Sequence, residues 1–409
     1  MRPPLTPSRG ANDTRFHTLD GLRGLAAIAV LVSHIAPSIC TFTVLRNWYA
    51  VDLFFMISGF VLCRTYEPRF ASGLTPRRFM LQRYIRLYPL FALGVMVGLL
   101  ADVIGILAHQ SSLDGPQRAT ALMTGLAILP SPTMQATPEI MPLNAVGWSL
   151  FFELVANAAY SVLWPRLSKR ALLLIVVATG GDLLWLAHHG VSFGGTSWSS
   201  FLAGFPRVFF SFFTGVLIAR MMGEPTARSW SAWLPMPLLV VLLFTPWEDK
   251  DVRDVTIMML AFPPLLVLAA AIQPRRPSLF ALAGRLSYPI YAIHFPLYLC
   301  LTRALALVGK PPEAIAPWGG LGFLLGVLVL GSVLDGYDAR LRRWLLTRVS
   351  ALPRRPSRPD GREDFLIKGP AAVAAGPPDG ALGVAPQNTR SPTSEIATAV
   401  KHNGMRSGN

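Results

Sequence analysis

The sequence is poor in charged residues and in cysteine. Only 14% of its residues are Asp, Glu, Lys or Arg, well below the roughly 25% of an average soluble domain. Its three cysteines, Cys40, Cys63 and Cys300, stand far apart in or beside apolar segments. This spacing gives neither a disulfide framework nor the paired ligands of a zinc site, so we expect no bound metal. No stretch is left over for a soluble catalytic domain.

Apolar residues are abundant instead. The 409 residues are 52% hydrophobic, with a mean hydropathy of +0.45, which predicts an all-α polytopic membrane protein. The net charge is +15, because 37 Lys and Arg outnumber 22 Asp and Glu. Most of these basic residues lie in short loops and in the C-terminal tail, as the positive-inside effect requires. We therefore expect no nucleic-acid partner.

Apolar runs predict about ten transmembrane helices. They lie at about 20–40, 48–65, 84–107, 145–164, 171–189, 201–221, 232–247, 255–273, 286–308 and 319–339. The run at 118–130 is too short to cross alone, so it is predicted to be a re-entrant or interfacial segment. With that assignment the basic loops at 64–83, 166–170 and 275–276 all fall on the cytoplasmic side. Both termini are then cytoplasmic.

Both ends of the chain differ in composition from its apolar middle. Residues 1–18 are polar, basic and contain proline, which predicts a disordered cytoplasmic lead. They do not resemble a cleaved signal peptide, because the next apolar run is too long and carries charges. Residues 351–409 are rich in Pro, Gly, Ala, Ser and Thr, which predicts a disordered cytoplasmic tail. A transmembrane domain at 19–350 lies between them.

The stretch 19–34 is apolar but contains Asp20, Arg23 and His34. Placing such groups in hydrocarbon costs free energy unless they are paired or hydrated, so each is a functional candidate. The eleven steps from Arg23 to His34 make three helical turns plus roughly 20°, so both side chains share one stripe about 16 Å long. Asp20 precedes Arg23 by one turn and can pair with it. His34 alone is also explained as a structural hydrogen bonder between helices.

The span at 48–65 carries two further polar candidates. Asp52 lies about one turn inside its outer end, and Ser58 lies near its middle. By the topology above, Asp52 and His34 share the outer half of the bilayer, where an Asp–His pair would fix the imidazole tautomer. The Ser58-Gly59 pair is equally explained as a close-packing site between helices.

A dense basic group precedes the span at 84–107. It consists of Arg77, Arg78, Arg83 and Arg86. One interpretation is topogenic charge that contacts anionic lipid headgroups. The other is a site for the phosphates of a nucleotide-like donor, because guanidinium groups bind phosphate bidentately. The sequence leaves both interpretations open.

The spans at 145–164 and 201–221 each contain an unexpected charge. Glu153 shares a helical face with Ser149 at i−4, and it can act in chemistry or as a protonated structural hydrogen bonder. Arg207 has no basic loop beside it. We therefore predict that Arg207 faces a polar cavity or pairs with a carboxylate such as Glu153 or Asp52.

The span at 286–308 begins with a polar cluster between two prolines. Ser287, Tyr291 and His294 are spaced four and three residues apart, so they share one helical sector. Pro289 and Pro296 loosen the helix there and could widen a cavity. A cavity lining and a plain kinked helix are both compatible with this pattern.

Four separated motifs resemble the acyltransferase family 3 membrane proteins. They are Asp-Gly-Leu-Arg-Gly at 20–24 with its Arg-x10-His spacing, Arg-Leu-Tyr-Pro at 86–89, Trp-Ser-Leu-x-x-Glu at 148–153 and Ser-Tyr-Pro-x-Tyr-x-x-His at 287–294. Two positions depart from the pattern. Met56 stands where a smaller apolar residue is expected, and Gly147 stands where leucine is commoner.

The resemblance implies transfer of an acetyl or other short acyl group from acyl-CoA to a hydroxyl of a glycan or glycolipid. It implies no tightly bound cofactor, contact with membrane lipids and a bacterial inner (plasma) membrane location. His34 is then expected to be a general base or a transient acyl carrier, with Glu153 and Asp52 as orienters or a second acid/base. The other candidates are expected to bind substrate: Asp20, Arg23, Ser58, Arg83, Arg86, Ser149, Arg207, Ser287, Tyr291 and His294.

Two other classes of protein fit the same intramembrane charges and kinked helices. One is a multi-spanning transporter or flippase for a polar substrate. The other is a lipid-binding assembly scaffold. No inverted repeat is visible in the sequence, which weakens the transporter interpretation without excluding it.

Overall fold

The computed structural model describes residues 15–39, 46–191, 193–225, 227–245 and 251–350. Within these ranges, α-helices form nearly all of the secondary structure. They are α1 (His17–His34), α2 (Asn47–Ala71), α3 (Pro76–Leu107), α4 (Gly115–Leu126), α5 (Gly147–Leu163), α6 (Lys169–His188), α7 (Gly204–Met221), α8 (Pro235–Phe244), α9 (Val252–Ala271), α10 (Ser278–Leu307) and α11 (Trp318–Ser350). Each predicted apolar run contains a helix, so the all-α architecture is confirmed. The predictions for 1–14 and 351–409 lie outside the described residues.

Six of these helices are long and apolar enough to cross a membrane by length and composition alone. They are α2, α3, α6, α9, α10 and α11. The predicted number of about ten is therefore not confirmed. Helix α1 carries Asp20 and Arg23, and α5 and α8 contain only 17 and 10 residues, whereas a spanning helix needs about 20 mostly apolar residues.

Helix α1 begins at His17, before its apolar run. Two short parallel strands, β1 (Ala227–Ser229) and β2 (Ile272–Pro274), pair beside its first turn. The Gln273 side-chain oxygen accepts the backbone N–H of His17 at 2.8 Å, and the Thr18 hydroxyl donates to the Ile272 carbonyl. The first N–H groups of a helix have no partner inside it. Strand β2 supplies one and so fixes where α1 begins.

Glycines let the central helices approach closely. Helix α1 packs along α10, where Gly24 faces Ala283, and α2 packs along α7, where Gly59 faces the backbone of Phe212. A Cβ atom on Gly59 would lie 2.0 Å from the Phe212 carbonyl oxygen. Small residues at such crossings allow van der Waals contact between backbones. This packing brings α1, α2, α7 and α10 together around the site described below.

Replacing Gly59 by alanine is expected to destabilise the protein by about 1–3 kcal/mol, because the added methyl group must displace the backbone of α7. Thermal unfolding of the purified protein in detergent measures this loss. Gly181→Ala on α6 is the matched control, since nothing lies within 4 Å of a Cβ there. Equal unfolding temperatures for the two variants would contradict the close crossing of α2 and α7.

Helix α4 occupies the short run at 118–130. It has 12 residues, about 18 Å of helix at 1.5 Å per residue, against roughly 30 Å of hydrocarbon. As predicted, it is too short to cross alone. Arg118 of α4 lies 2.5 Å from the carboxylate of Asp102 on α3, and Arg303 of α10 lies 3.7 Å from the same carboxylate. This ion cluster attaches α4 to the ends of α3 and α10.

Candidate active site

A cavity of about 510 Å³ opens among α1, α2, α3, α5, α10 and α11. We call it the arginine cavity. Its walls contain seven arginines: Arg15, Arg23, Arg69, Arg83, Arg86, Arg285 and Arg342. Three carboxylates, Glu153, Asp335 and Asp338, also line it. The excess of guanidinium groups gives the cavity the chemistry of an anion site, and phosphate is the ligand that arginine binds best in this way.

Glu153 is held at the inner wall of the arginine cavity by α2 and α3. Its Oε1 accepts a hydrogen bond from Arg83 at 2.7 Å and another from the Ser58 hydroxyl at 2.8 Å. Arg83 is almost fully buried. The three predicted candidates thus form one network, in which the carboxylate orients a buried guanidinium toward the cavity.

On α1, the carboxylate of Asp20 orients an arginine as Glu153 orients Arg83. Its carboxylate accepts hydrogen bonds from Arg15 and from Arg23, both at 2.9 Å. Arg23 also donates to the carbonyl of Gly284 on α10 at 3.3 Å. The predicted pairing of Asp20 with Arg23 is therefore present, and it fixes Arg23 at the wall of the arginine cavity.

A second cavity, of about 270 Å³, lies at the other end of α1. We call it the histidine cavity, because His34 lines it. Its other walls come from the start of α2, the start of α7 and the segments before α5 and α7, and include Trp48, Trp148, Phe193 and Arg207. Arg23 and His34 thus line two different cavities, although they lie on one helix.

The tautomer of His34 follows from its neighbours. His34 Nδ1 lies 2.8 Å from the Val30 carbonyl oxygen, which can only accept, so Nδ1 carries the proton. His294 Nδ1 lies 3.0 and 2.9 Å from the carbonyl oxygens of Ile290 and Tyr291, so it is also protonated. His294 Nε2 is then a bare acceptor, 3.3 Å from His34 Nδ1. Both contacts leave His34 Nε2 as a lone pair at the histidine cavity.

Tyr291 stands where the two cavities meet. Tyr291 and Val51 line both of them. The Tyr291 hydroxyl lies 2.8 Å from Ser149 Oγ, and Ser149 donates to the Val146 carbonyl at 3.0 Å. These bonds fix the ring on the boundary. A single layer of side chains therefore separates the arginine cavity from the histidine cavity.

Asp52 is paired with Arg207, not with His34. Arg207 donates from Nε and Nη2 to the two carboxylate oxygens, at 2.8 and 3.0 Å, and both side chains are fully buried. The expected Asp52–His34 pair is not formed. The close crossing of α2 and α7 places the guanidinium against Asp52, while α10 places His294 beside His34. The expected pairing of Arg207 with a carboxylate is present.

The remaining sequence candidates occupy defined places. Ser287 lines the arginine cavity and donates to the Gly284 carbonyl of its own helix at 2.8 Å. His294 is fully buried and, within the described residues, lines neither cavity. The sequence interpretation missed Arg285, Arg342 and Asp338, which α10 and α11 bring to the arginine cavity. These residues lie at or beyond the ends of the predicted apolar spans at 286–308 and 319–339, where charged residues are common, so the sequence did not single them out.

Comparison with known proteins identifies the class. The family described as "Acyltransferase domain" matches residues 16–334, which are most of the chain and include every residue that lines the histidine cavity. The chain belongs to this family. It is therefore an O-acyltransferase, and its apolar helices make this acyltransferase an integral membrane protein.

Three relatives extend the comparison. "Protein 2 in picA locus" of Rhizobium radiobacter is 36% identical over 179 residues, which cover 42% of this acyltransferase and 93% of that protein. "Exopolysaccharide production protein ExoZ" of Rhizobium meliloti (strain 1021) is 28% identical over 323 residues, 74% of this chain and 90% of that one. "Acyltransferase MdmB" of Streptomyces mycarofaciens is 30% identical over 171 residues, 38% and 41% of the respective chains. No solved structure matches the acyltransferase.

Proposed function

We propose that this acyltransferase moves an acetyl or other short acyl group from acyl-CoA to a hydroxyl group of a glycan or glycolipid. The observation that carries the proposal is the pair of cavities that meet at Tyr291. One is rich in arginine, and the other presents an unprotonated nitrogen of His34. The similarity to an exopolysaccharide production protein supports a carbohydrate acceptor.

The arginine cavity suits the donor. Acyl-CoA carries several phosphate charges at one end and a thioester at the end of a narrow arm. Phosphates enter hydrocarbon only at high cost, so they stay among the guanidinium groups while the arm extends toward Tyr291. Arg69 and Arg83 of the basic segment at 64–83 line this cavity, and the positive-inside effect assigns that end of the molecule to the cytoplasm.

The histidine cavity suits the acceptor. His34 Nε2 takes the proton from the acceptor hydroxyl as its oxygen attacks the thioester carbonyl. The new C–O bond forms, the C–S bond breaks, and the CoA thiolate leaves and receives the proton from the His34 imidazolium. His294 Nε2 and the Val30 carbonyl both accept from Nδ1–H throughout, so they stabilise the positive charge that His34 carries between the two proton transfers.

Incubating the detergent-purified protein with radiolabelled acetyl-CoA and a panel of glycans and glycolipids tests the proposal. We expect label to appear on a hydroxyl of the acceptor and free CoA to be released in equal amount. A protein that binds no acyl-CoA, or that releases CoA without acylating any hydroxylated acceptor, would contradict it.

Arg86 provides a test of the donor site. It faces the arginine cavity, and no described carboxylate lies within ion-pair distance of it. Arg86→Gln is expected to raise the donor KM at least about tenfold, as loss of one charge-assisted hydrogen bond would, with a smaller effect on kcat. Steady-state kinetics with varied acyl-CoA measure both.

The control for Arg86 is Arg340→Gln on α11. Arg340 is exposed, stacks on Tyr337 and does not line the arginine cavity, so the donor KM should not change. If the Arg86 variant has a lower kcat but an unchanged donor KM, Arg86 does not bind the donor.

A further inference from the structure

The histidine cavity has three aromatic walls and few free polar atoms. The Trp48 and Phe193 rings lie 5.6 Å apart. The Arg207 guanidinium stacks on Phe193 and on Trp148, at 5.0 Å from each ring centre. Arg207 also donates to the carbonyl oxygens of Gly194 and Trp48 at 3.1 and 3.3 Å. These contacts fix the rings before any ligand binds. Flat apolar walls with a few polar groups are typical of sites for small cyclic ligands.

Among the described residues, the polar groups left free at this cavity include several hydrogen-bond acceptors and one buried donor, the Nε1–H of Trp48. His34 Nε2 is a lone pair, and Asn47 uses its Nδ2 to donate to Ser33 at 2.8 Å, which leaves its oxygen. Glu139 contributes a carboxylate, of which one oxygen accepts from Thr137. A ligand that satisfies such a set must both donate and accept hydrogen bonds, as the hydroxyl groups of a sugar ring do.

The charge of the cavity restricts the ligand further. The positive charge of Arg207 is neutralised by its bidentate pair with Asp52. Glu139 forms no ion pair with any described residue and so leaves one uncompensated negative charge at the cavity wall. An anionic group on the ligand would meet this charge, and like charges brought together in a binding site cost several kcal/mol.

We propose that the histidine cavity binds an uncharged, hydroxyl-rich sugar ring of the acceptor, and that Glu139 excludes anionic sugars. The inference rests on the proposed function, because it takes this cavity to be the acceptor site. It adds the specificity: a hexose is accepted, whereas the corresponding uronic acid is rejected. The aromatic walls bind the ring faces, and Glu139 and Asn47 accept hydrogen bonds from its hydroxyl groups.

Equilibrium binding of an alkyl glucoside and of the alkyl glucuronide with the same aglycone tests the proposal. Isothermal titration of the full-length protein in detergent provides a readout that needs no acyl transfer. We expect the glucoside to bind at least tenfold more tightly than the glucuronide. Glu139→Gln should reduce this ratio to within about twofold by improving glucuronide binding. Phe193→Leu should weaken binding of the glucoside at least fivefold.

Glu313→Gln is the control, since Glu313 is exposed and lies outside the cavity, and it should preserve the parent ratio. Equal affinities in the parent, no measurable glucoside binding, or an unchanged ratio in Glu139→Gln would each overturn the inference. Failure of the proposed function gives a different result from failure of this inference. In that case the protein still prefers the glucoside in the binding experiment but transfers no acyl group from acyl-CoA.

Discussion

Replacing His34 by alanine is expected to lower turnover by at least about 100-fold, because a general base of this kind typically contributes 10²–10⁴-fold. The structure gives His34 the properties that this role requires. Nδ1 is protonated toward Val30 and His294, and Nε2 is free at the histidine cavity. The measurement is kcat for acyl transfer at saturating donor, with insertion and folding checked by size-exclusion chromatography in detergent.

Two further variants separate chemistry from packing. His34→Gln keeps hydrogen-bonding groups but cannot take a proton at neutral pH, so it should be as inactive as the alanine variant. His294→Phe removes the second acceptor of the His34 Nδ1–H, together with the bonds of His294 Nδ1 to the carbonyls of Ile290 and Tyr291. We expect turnover to fall about 10- to 100-fold, since one hydrogen bond to a charged group contributes about 1.5–3 kcal/mol. Activity of His34→Gln within a few-fold of the parent would show that His34 has a structural role and that another residue is the general base.

The second large effect concerns the pair of Asp52 and Arg207. Arg207→Met is expected to destabilise the protein by about 3–5 kcal/mol, because it leaves the buried carboxylate of Asp52 without its partner. It also removes the stacking that fixes Trp148 and Phe193. Chemical unfolding in detergent, followed by tryptophan fluorescence, measures the change in the free energy of unfolding.

The double variant Asp52→Leu/Arg207→Met provides the matched comparison. Replacing both members of a buried ion pair by apolar residues is often close to neutral for stability, so the double variant should be more stable than Arg207→Met alone. Acyl transfer should still be low in it, because the aromatic walls of the histidine cavity lose their support. A single variant as stable as the parent would show that the pair contributes little.

Local spacing predicted the contacts within one helix, whereas contacts between helices needed the structure. The one-turn step from Asp20 to Arg23 correctly predicted their pairing, and the shared face of Arg23 and His34 follows from helical geometry. Asp52 was expected beside His34 because both lie at similar depth. Depth along a helix says nothing about which neighbour a side chain faces, and that depends on the glycine contacts of α2 with α7.

One of the two departures from the family pattern, Gly147, also acquires a physical reason. A Cβ atom on Gly147 would lie 2.6 Å from the Phe91 ring, so a leucine would not fit at the start of α5 in this chain. The backbone of Met56 lies at the α2–α7 crossing, where its carbonyl oxygen would be 2.0 Å from a Cβ atom on Gly215, but this contact does not explain the methionine side chain. Sequence reasoning did not select Glu139 as a site residue, because a carboxylate in a segment between two helices is common.

The thin boundary at Tyr291 has an electrical consequence. On the proposed arrangement, water enters the two cavities from opposite sides of the membrane and conducts far better than hydrocarbon. Most of the transmembrane potential then falls across the layer of Tyr291, Val51 and Ser149 instead of across about 30 Å of lipid. Moving one charge through the full potential changes its energy by about 2.3 kcal/mol per 100 mV. The energised state of the cell would therefore act on any charge that crosses this layer, such as the proton that passes from the His34 imidazolium to the CoA thiolate.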